Sequence, residues 1–188
     1  MNSREEFEML VGQIRREGIG ELLEWLRKSD FYTAPASSRF HGSYEGGLLE
    51  HSLNVYHELK RILAVYPEIE VDDESVLISA LFHDLCKVHM YATEKRNRKN
   101  DAGVWESYDA YTIKERFHFG GHGSKSVFII QQFMKLTPLE AVAINCHMGA
   151  WGDNPQDVSK AYEQYPFAWA LHVADESATY VLEANKGV

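Results

Sequence analysis

The chain has 188 residues, 45% of them hydrophobic, and a formal net charge of −9 at pH 7, which suits one globular domain with a substantial core. That acidic balance excludes a protein that coats nucleic acid or an anionic membrane, because polyanion binding rests on clustered Lys and Arg; a small anionic substrate stays open where a site supplies local positive charge. No apolar stretch approaches the roughly 20 residues that span a bilayer, no basic and apolar leader opens the sequence, and the expected location is the cytoplasm. Cys86 and Cys146 have no paired spacing and are expected as reduced, buried thiols. Oligomeric state leaves no mark in the sequence.

Ser3 with Glu6 forms a capping-box pattern, and Phe7, Leu10, Val11 and Ile14 follow at helical spacing, so a first helix is predicted to run until Gly18 and Gly20. A short second helix covers ELLEWLRK, and the Ser-, Gly- and Pro-rich stretch after it reads as loop. The stripe Leu48, His51, Val55, Leu59 and Ile62 predicts a helix over 47–65, and Asp72 or Asp73 can cap another over about 74–87. Residues 88–119 are polar and aromatic around an Asn-Asp-Ala-Gly turn, which predicts a solvent-facing hairpin. Its basic run KRNRK, with Trp105, Tyr108 and Tyr111 nearby, reads as a solvated hairpin tip, the alternative being a guide for a nucleotide or single strand. Helix resumes at HGSKSVFIIQQFMK and again at TPLEAVAINCHMG, where Thr137 caps, Pro138 takes the first helical position, Glu140 closes a capping box and Gly149 terminates. A last helix is predicted over about 166–185. The expected fold is all-α: one domain, a helical bundle with a small β-hairpin insertion.

Several polar groups interrupt the apolar stripes. Asp175 sits among Ala168, Leu171, Ala178 and Leu182, where an unpaired carboxylate would be costly. Val76, Ala80, His83 and Lys87 share one stripe, and Asp84 lies on the next with Leu77, Leu81 and Val88. His51 falls within its own stripe, His147 continues Ala143, and His122 begins a helix with an apolar interior. Imidazoles and carboxylates on separate rigid helices are the means by which proteins hold divalent transition metals, so these groups are expected to face one interior. Adjacent helical residues point about 100° apart, so His83 and Asp84 reach a shared cation only at the lip of a cleft, where Asp84 has two oxygens to offer.

GGLLEHSLNVY, ALFHDLCK and LHVADESA, in that order, resemble the HD-domain superfamily of metal-dependent phosphohydrolases, whose signature is His, then His-Asp, then a distant Asp. The resemblance covers about 34–182, with the helices of 3–29 expected to pack on that core. It implies that His51, His83, Asp84 and Asp175 bind one divalent ion. GGHGS and INCHMGAW look like the extra histidine motifs of two-metal subgroups, which implies His122 and His147 as ligands of a second ion bridged by Asp84. Mn, Fe, Co, Ni, Zn and Mg all remain open. The implied reaction is cleavage of a phosphoester in a nucleotide or other small phosphorylated metabolite by metal-activated water. Asp84 and Lys87 are then catalytic, with Lys87 also holding a phosphate oxygen; from their positions alone, His41 could line the pocket or be solvated, and Trp151 could stack on a base or ring of the substrate, core packing being the favoured alternative. His57 is expected at the surface, and His89, His118 and His172 receive no role. TAPASSRFHGSYEGGLLEHS is similar to HD-domain proteins with 3'-to-5' exoribonuclease activity, but their separate N-terminal nucleic-acid-binding domain has no counterpart in this sequence. A nuclease acting on short single strands is thus the rival enzyme. A metal-holding module without turnover and a di-iron oxygenase are the rivals of other classes.

Overall fold

The computed structural model describes residues 1–115, 117–152 and 155–184. Helix α1 spans Ser3–Val11 and is capped one residue earlier than predicted: the Asn2 side chain accepts from the Glu5 N–H, and Glu5 returns the bond to the Asn2 N–H. It ends at Gly12, well short of Gly18. Gly18 instead starts α2, Ile19–Lys28, with φ 91°, and a Cβ there would lie 1.8 Å from the Phe133 carbonyl oxygen. Only glycine combines that backbone with that close approach.

Helix α3 spans Gly47–Val65 as predicted. The preceding loop docks on its first turn through Gly47, where a Cβ would sit 2.0 Å from the Gly42 carbonyl oxygen. Helix α4, Asp73–Phe82, is capped by Asp72, which accepts from the Ser75 N–H at 2.8 Å. The predicted continuation of this helix to residue 87 is incorrect. The chain leaves the helix at Asp84, with φ −108° and ψ 21°, and makes a separate 3-10 turn over Leu85–Lys87.

Strands β1, Tyr91–Lys99, and β2, Trp105–Ile113, form an antiparallel ribbon in register from Tyr91↔Ile113 to Lys99↔Trp105. Its turn is closed by the Asn100 side chain, which accepts from the N–H groups of Ala102 and Val104, with Gly103 at φ 77°. The basic run therefore lies along β1, and the tip is the turn that follows it. Helix α5 spans His122–Ile130, shorter than predicted. Helix α6, Pro138–Cys146, has the anticipated Thr137–Glu140 box and Pro138 start. Gly149, at φ 54°, opens a 3-10 turn over Gly149–Trp151. Helix α7, Pro155–Gln164, was not anticipated. Helix α8, Pro166–Ser177, passes into a π-helical turn over Ala178–Leu182; its predicted end at 185 lies outside the described residues.

The protein is thus mostly helical with one small hairpin. Helix α3 packs on α4 and α8, and α6 on α5 and α8. Phe7, Leu22 and Leu26 of the first two helices join the same core as Phe82, Leu48 and Phe167; each such side chain contributes about 1.5–3 kcal/mol by leaving water. A buried polar clamp ties the α1–α2 connection to the bundle. Arg16 donates two 2.9 Å bonds to the two carboxylate oxygens of Glu140, which also accepts from the Ser75 hydroxyl and the Thr137 N–H. Among the described residues no helix is long and apolar enough to cross a membrane.

Candidate metal centre

Four parts of the bundle deliver side chains to one buried centre: α3 gives His51, the break after α4 gives His83 and Asp84, the end of α6 gives His147, and α8 gives Asp175. The break resolves the geometric difficulty of two adjacent ligands. In a continuous helix the two side chains would diverge, whereas here Asp84 Oδ2 lies 3.5 Å from His83 Nε2 and 3.5 Å from His51 Nε2. His51 Nε2 is also 3.3 Å from His83 Nε2 and 3.1 Å from Asp175 Oδ1. Donors that share one cation at about 2.0–2.2 Å stand roughly 3–3.5 Å from each other, which matches this set. The second Asp84 oxygen, Oδ1, faces His147 Nε2 at 3.5 Å.

The histidine tautomers follow from their outer partners. Carbonyl oxygens only accept, so His83 Nδ1–H donates to Ala80 O at 2.8 Å and His147 Nδ1–H to Ile144 O at 2.6 Å. Their Nε2 lone pairs are left facing the centre, the arrangement that orients metal-binding imidazoles. Among the described residues His147 Nε2 is buried with no hydrogen-bond partner, which native interiors rarely tolerate. The donor set therefore fits a divalent cation.

Charge leads to the same reading. Burial alone would raise the Asp84 pKa, but Lys87, His83 and His147 hold it well below the usual carboxylate range. Burial likewise opposes ionisation of Asp175 and Glu183, and their hydrogen bonds to His51 bring both below normal. For His51 burial favours the neutral ring, yet Asp175 and Glu183 push its pKa up to about 10. A surplus of buried carboxylate draws positive charge to this point.

Two contacts escaped the sequence reading. Glu183 sits 3.1 and 3.2 Å from His51 Nδ1 and also accepts from the Asn54 side-chain amide at 2.8 Å, so it sets the orientation of His51 from behind. A regular helix would set it about 80° round from Asp175, and a π-helical turn over Ala178–Leu182 comes between them, so periodicity alone did not mark it. His172, assigned no role, donates its Nδ1–H to the His147 carbonyl at 2.7 Å. A Cβ at Gly149 would press on that ring at 2.5 Å, so glycine here lets His172 brace the end of α6.

The remaining candidates scatter around the centre. Lys87 is buried with Nζ 2.5 Å from Asp84 Oδ2; it arrives through the 3-10 turn, and the expected shared helical face with His83 does not exist. His147 clusters with His83 and Asp175, whereas His122 clusters with Asp84 and Cys86. His41 is half-buried with its ring 5.0 Å from that of His51, and burial lowers its pKa to about 4, leaving it neutral near pH 7. Trp151 is 77% exposed and lines a cavity of about 120 Å³ with His122, Asn145 and Met148. His57 is exposed and pairs with Glu6. Both cysteines are free; Cys86 is buried, but Cys146 is only half-buried, contrary to expectation.

Comparison with known proteins agrees with this geometry. The family model described as HD domain matches residues 48–180. The dihydroneopterin 2',3'-cyclic phosphate phosphodiesterase of Methanocaldococcus jannaschii is 27% identical over 147 residues, covering 77% of this chain and 51% of that protein. The chain thus spans about half the length of the curated relative it matches. No solved structure is a significant match.

Proposed function

The chain belongs to the HD-domain family, and we propose that it is a hydrolase that uses one or two divalent cations to cleave a phosphoester in a nucleotide or another small phosphorylated metabolite. The observation that carries this reading is the Asp84 carboxylate, with Oδ2 turned to His51 and His83 and Oδ1 turned to a His147 nitrogen that has no hydrogen bond among the described residues. His51, His83, Asp84 and Asp175 would hold the first ion, with His122 and His147 assigned to a second on the far side of Asp84. Mn, Fe, Co, Ni, Zn or Mg would each supply Lewis acidity, making an attacking water more acidic and countering phosphate charge.

The protein's own groups do the rest. Asp84 fixes the ligand geometry from both oxygens. Lys87, whose Nζ is beside Asp84, is the cation placed to hold a phosphoryl oxygen as charge develops. The neutral His41 ring, with a buried Nε2 that has no partner among the described residues, offers a hydrogen bond at the edge of the centre. Trp151 presents an exposed face on which a base or pterin ring could stack. The matched relative is named for a cyclic phosphodiester of a pterin, and a compound of that size is within the substrate class proposed here. Of the four basic side chains of the run, Lys95, Arg96 and Arg98 are paired with carboxylates and Lys99 lies over the Trp105 ring, which favours a small substrate over a polynucleotide track. Two free thiols support a reducing, cytoplasmic setting. We take the chain as one HD domain over residues 1–188, with its metal-binding core at about 34–182.

The test combines metal analysis of the purified protein with a screen of nucleotides, cyclic phosphodiesters and short oligonucleotides against several metals. Stoichiometric metal and activity nearly indifferent to salt are expected; activity confined to oligonucleotides and falling steeply with salt would replace the small substrate by a polynucleotide. Protein that binds no divalent ion would end the reading.

A further inference from the structure

We propose that Cys86 is a metal ligand: with Asp84 and His122 it forms a second cation position, of thiolate character, on the far side of Asp84 from His51. This rests on the reading above that the centre holds metal. Cys86 is in the turn that follows the α4 break, and its sulfur lies 3.3 Å from His122 Nδ1 and 3.8 Å from Asp84 Oδ1. The three donor atoms all fall within 4.8 Å of one another. In a tetrahedral site with metal–sulfur near 2.3 Å and metal–nitrogen or metal–oxygen near 2.0–2.2 Å, such donors stand roughly 3.5 Å apart, so both short separations are those of a shared ion.

Two further observations point to a ligand here. Asp84 Oδ1, the oxygen facing Cys86, is also the one facing His147 Nε2 at 3.5 Å, and that nitrogen is fully buried with no hydrogen bond among the described residues. A hydrogen bond from the thiol would account for one of the two sulfur contacts at a time, since a thiol has one proton, whereas a shared ion accounts for both. The place is also reachable, since a cavity of about 190 Å³ is lined by Cys86, Met90, Glu115, His122 and Lys125. The Cys86 N–H is held by the Ser126 hydroxyl oxygen at 3.1 Å, which fixes the turn that presents the sulfur.

On binding, the sulfur–metal bond forms as the thiol proton leaves to solvent, and no electrons are exchanged. Thiolate favours Zn, Fe or Co over Mg, which prefers oxygen ligands. The second position is therefore selective for softer ions, while the first, built of imidazole and carboxylate, accepts a wider range.

Protein produced with cobalt as the supplied metal gives a direct reading, because a cobalt–thiolate bond adds a near-ultraviolet charge-transfer absorption that nitrogen and oxygen ligands lack. The band is expected in the wild type and in Cys146→Ser, and absent in Cys86→Ser. The latter should retain the first ion and lose affinity for the second by more than the roughly 10- to 100-fold that follows loss of an outer-shell partner. A band that survives Cys86→Ser, or wild-type protein that binds cobalt without any band, overturns the thiolate ligand and leaves the metal reading standing. Failure of the wild type to take up cobalt at all overturns both.

Discussion

The hairpin and the metal centre are both rich in charge, yet they treat it in opposite ways. Along β1 and β2 most charges meet an opposite one in water: Lys95 with Asp109 at 2.8 Å, Arg98 with Glu106 at 2.7 Å, and Arg96 with Glu94 at 2.6 Å, while Lys99 lies over the Trp105 ring. Exposed pairs of this kind contribute only about 0.2–1 kcal/mol each. At the centre, Asp84, Glu183, His51, His83 and His147 are almost fully buried, and the donors there point at one another with a lone pair to spare. Charge that closes on itself at the surface shapes an exposed ribbon. Charge gathered in the core by imidazoles and carboxylates could hold a metal ion.

The contrast can be broken from its strongest point downward. Asp84→Ala should lose metal and phosphodiesterase activity together, the latter by about 10³-fold or more, measured by metal analysis and hydrolysis of a chromogenic diester; full activity would show that the centre is only structural. Next is the buried clamp outside the site. Arg16→Ala leaves Glu140 short of its cation and should cost about 3 kcal/mol in denaturant unfolding. Burial would raise the Glu140 pKa, but Arg16 holds it below its ordinary 4.5. Its folded pKa being depressed, its stabilisation is present above about 4.5 and is lost as pH falls through the lower folded value. Glu140→Gln should therefore remove that part of the acid dependence, read from unfolding midpoints at a series of pH values.

Smaller effects sharpen the same contrast. Glu183→Gln keeps the shape behind His51 but weakens its orientation, and metal affinity should fall roughly 10- to 100-fold, as titration with a competing chelator would show. Lys95→Ala or Arg98→Ala should change stability by no more than about 0.5 kcal/mol and leave turnover of a small phosphodiester unchanged; a large loss of turnover would make the hairpin part of the substrate site.

The centre was unevenly legible. Caps at Asp72 and Thr137, the Pro138 start and the whole of α3 are local patterns repeating over three or four residues, and these coincide with the structure. The α4 break was not legible: LFHDLCK is apolar enough to continue a helix, and only packing shows that Asp84 must turn away for its carboxylate to meet both His83 and His51. Helix α7 was missed because its mean composition is polar and its start lies just beyond residues 152–154, where Gly, Asp and Asn read as loop.

By itself the sequence determined most of the helices, α7 excepted, and that imidazoles and carboxylates interrupt their buried faces, because amphipathic periodicity and capping act within a turn or two. Tertiary structure alone decided that Glu183, 132 residues from His51, lies behind it, that Cys86 faces His122, and that each Asp84 oxygen serves a different set of nitrogens. Those contacts join segments far apart in the chain, and their distances are fixed by how the helices pack rather than by the order of residues along any one of them.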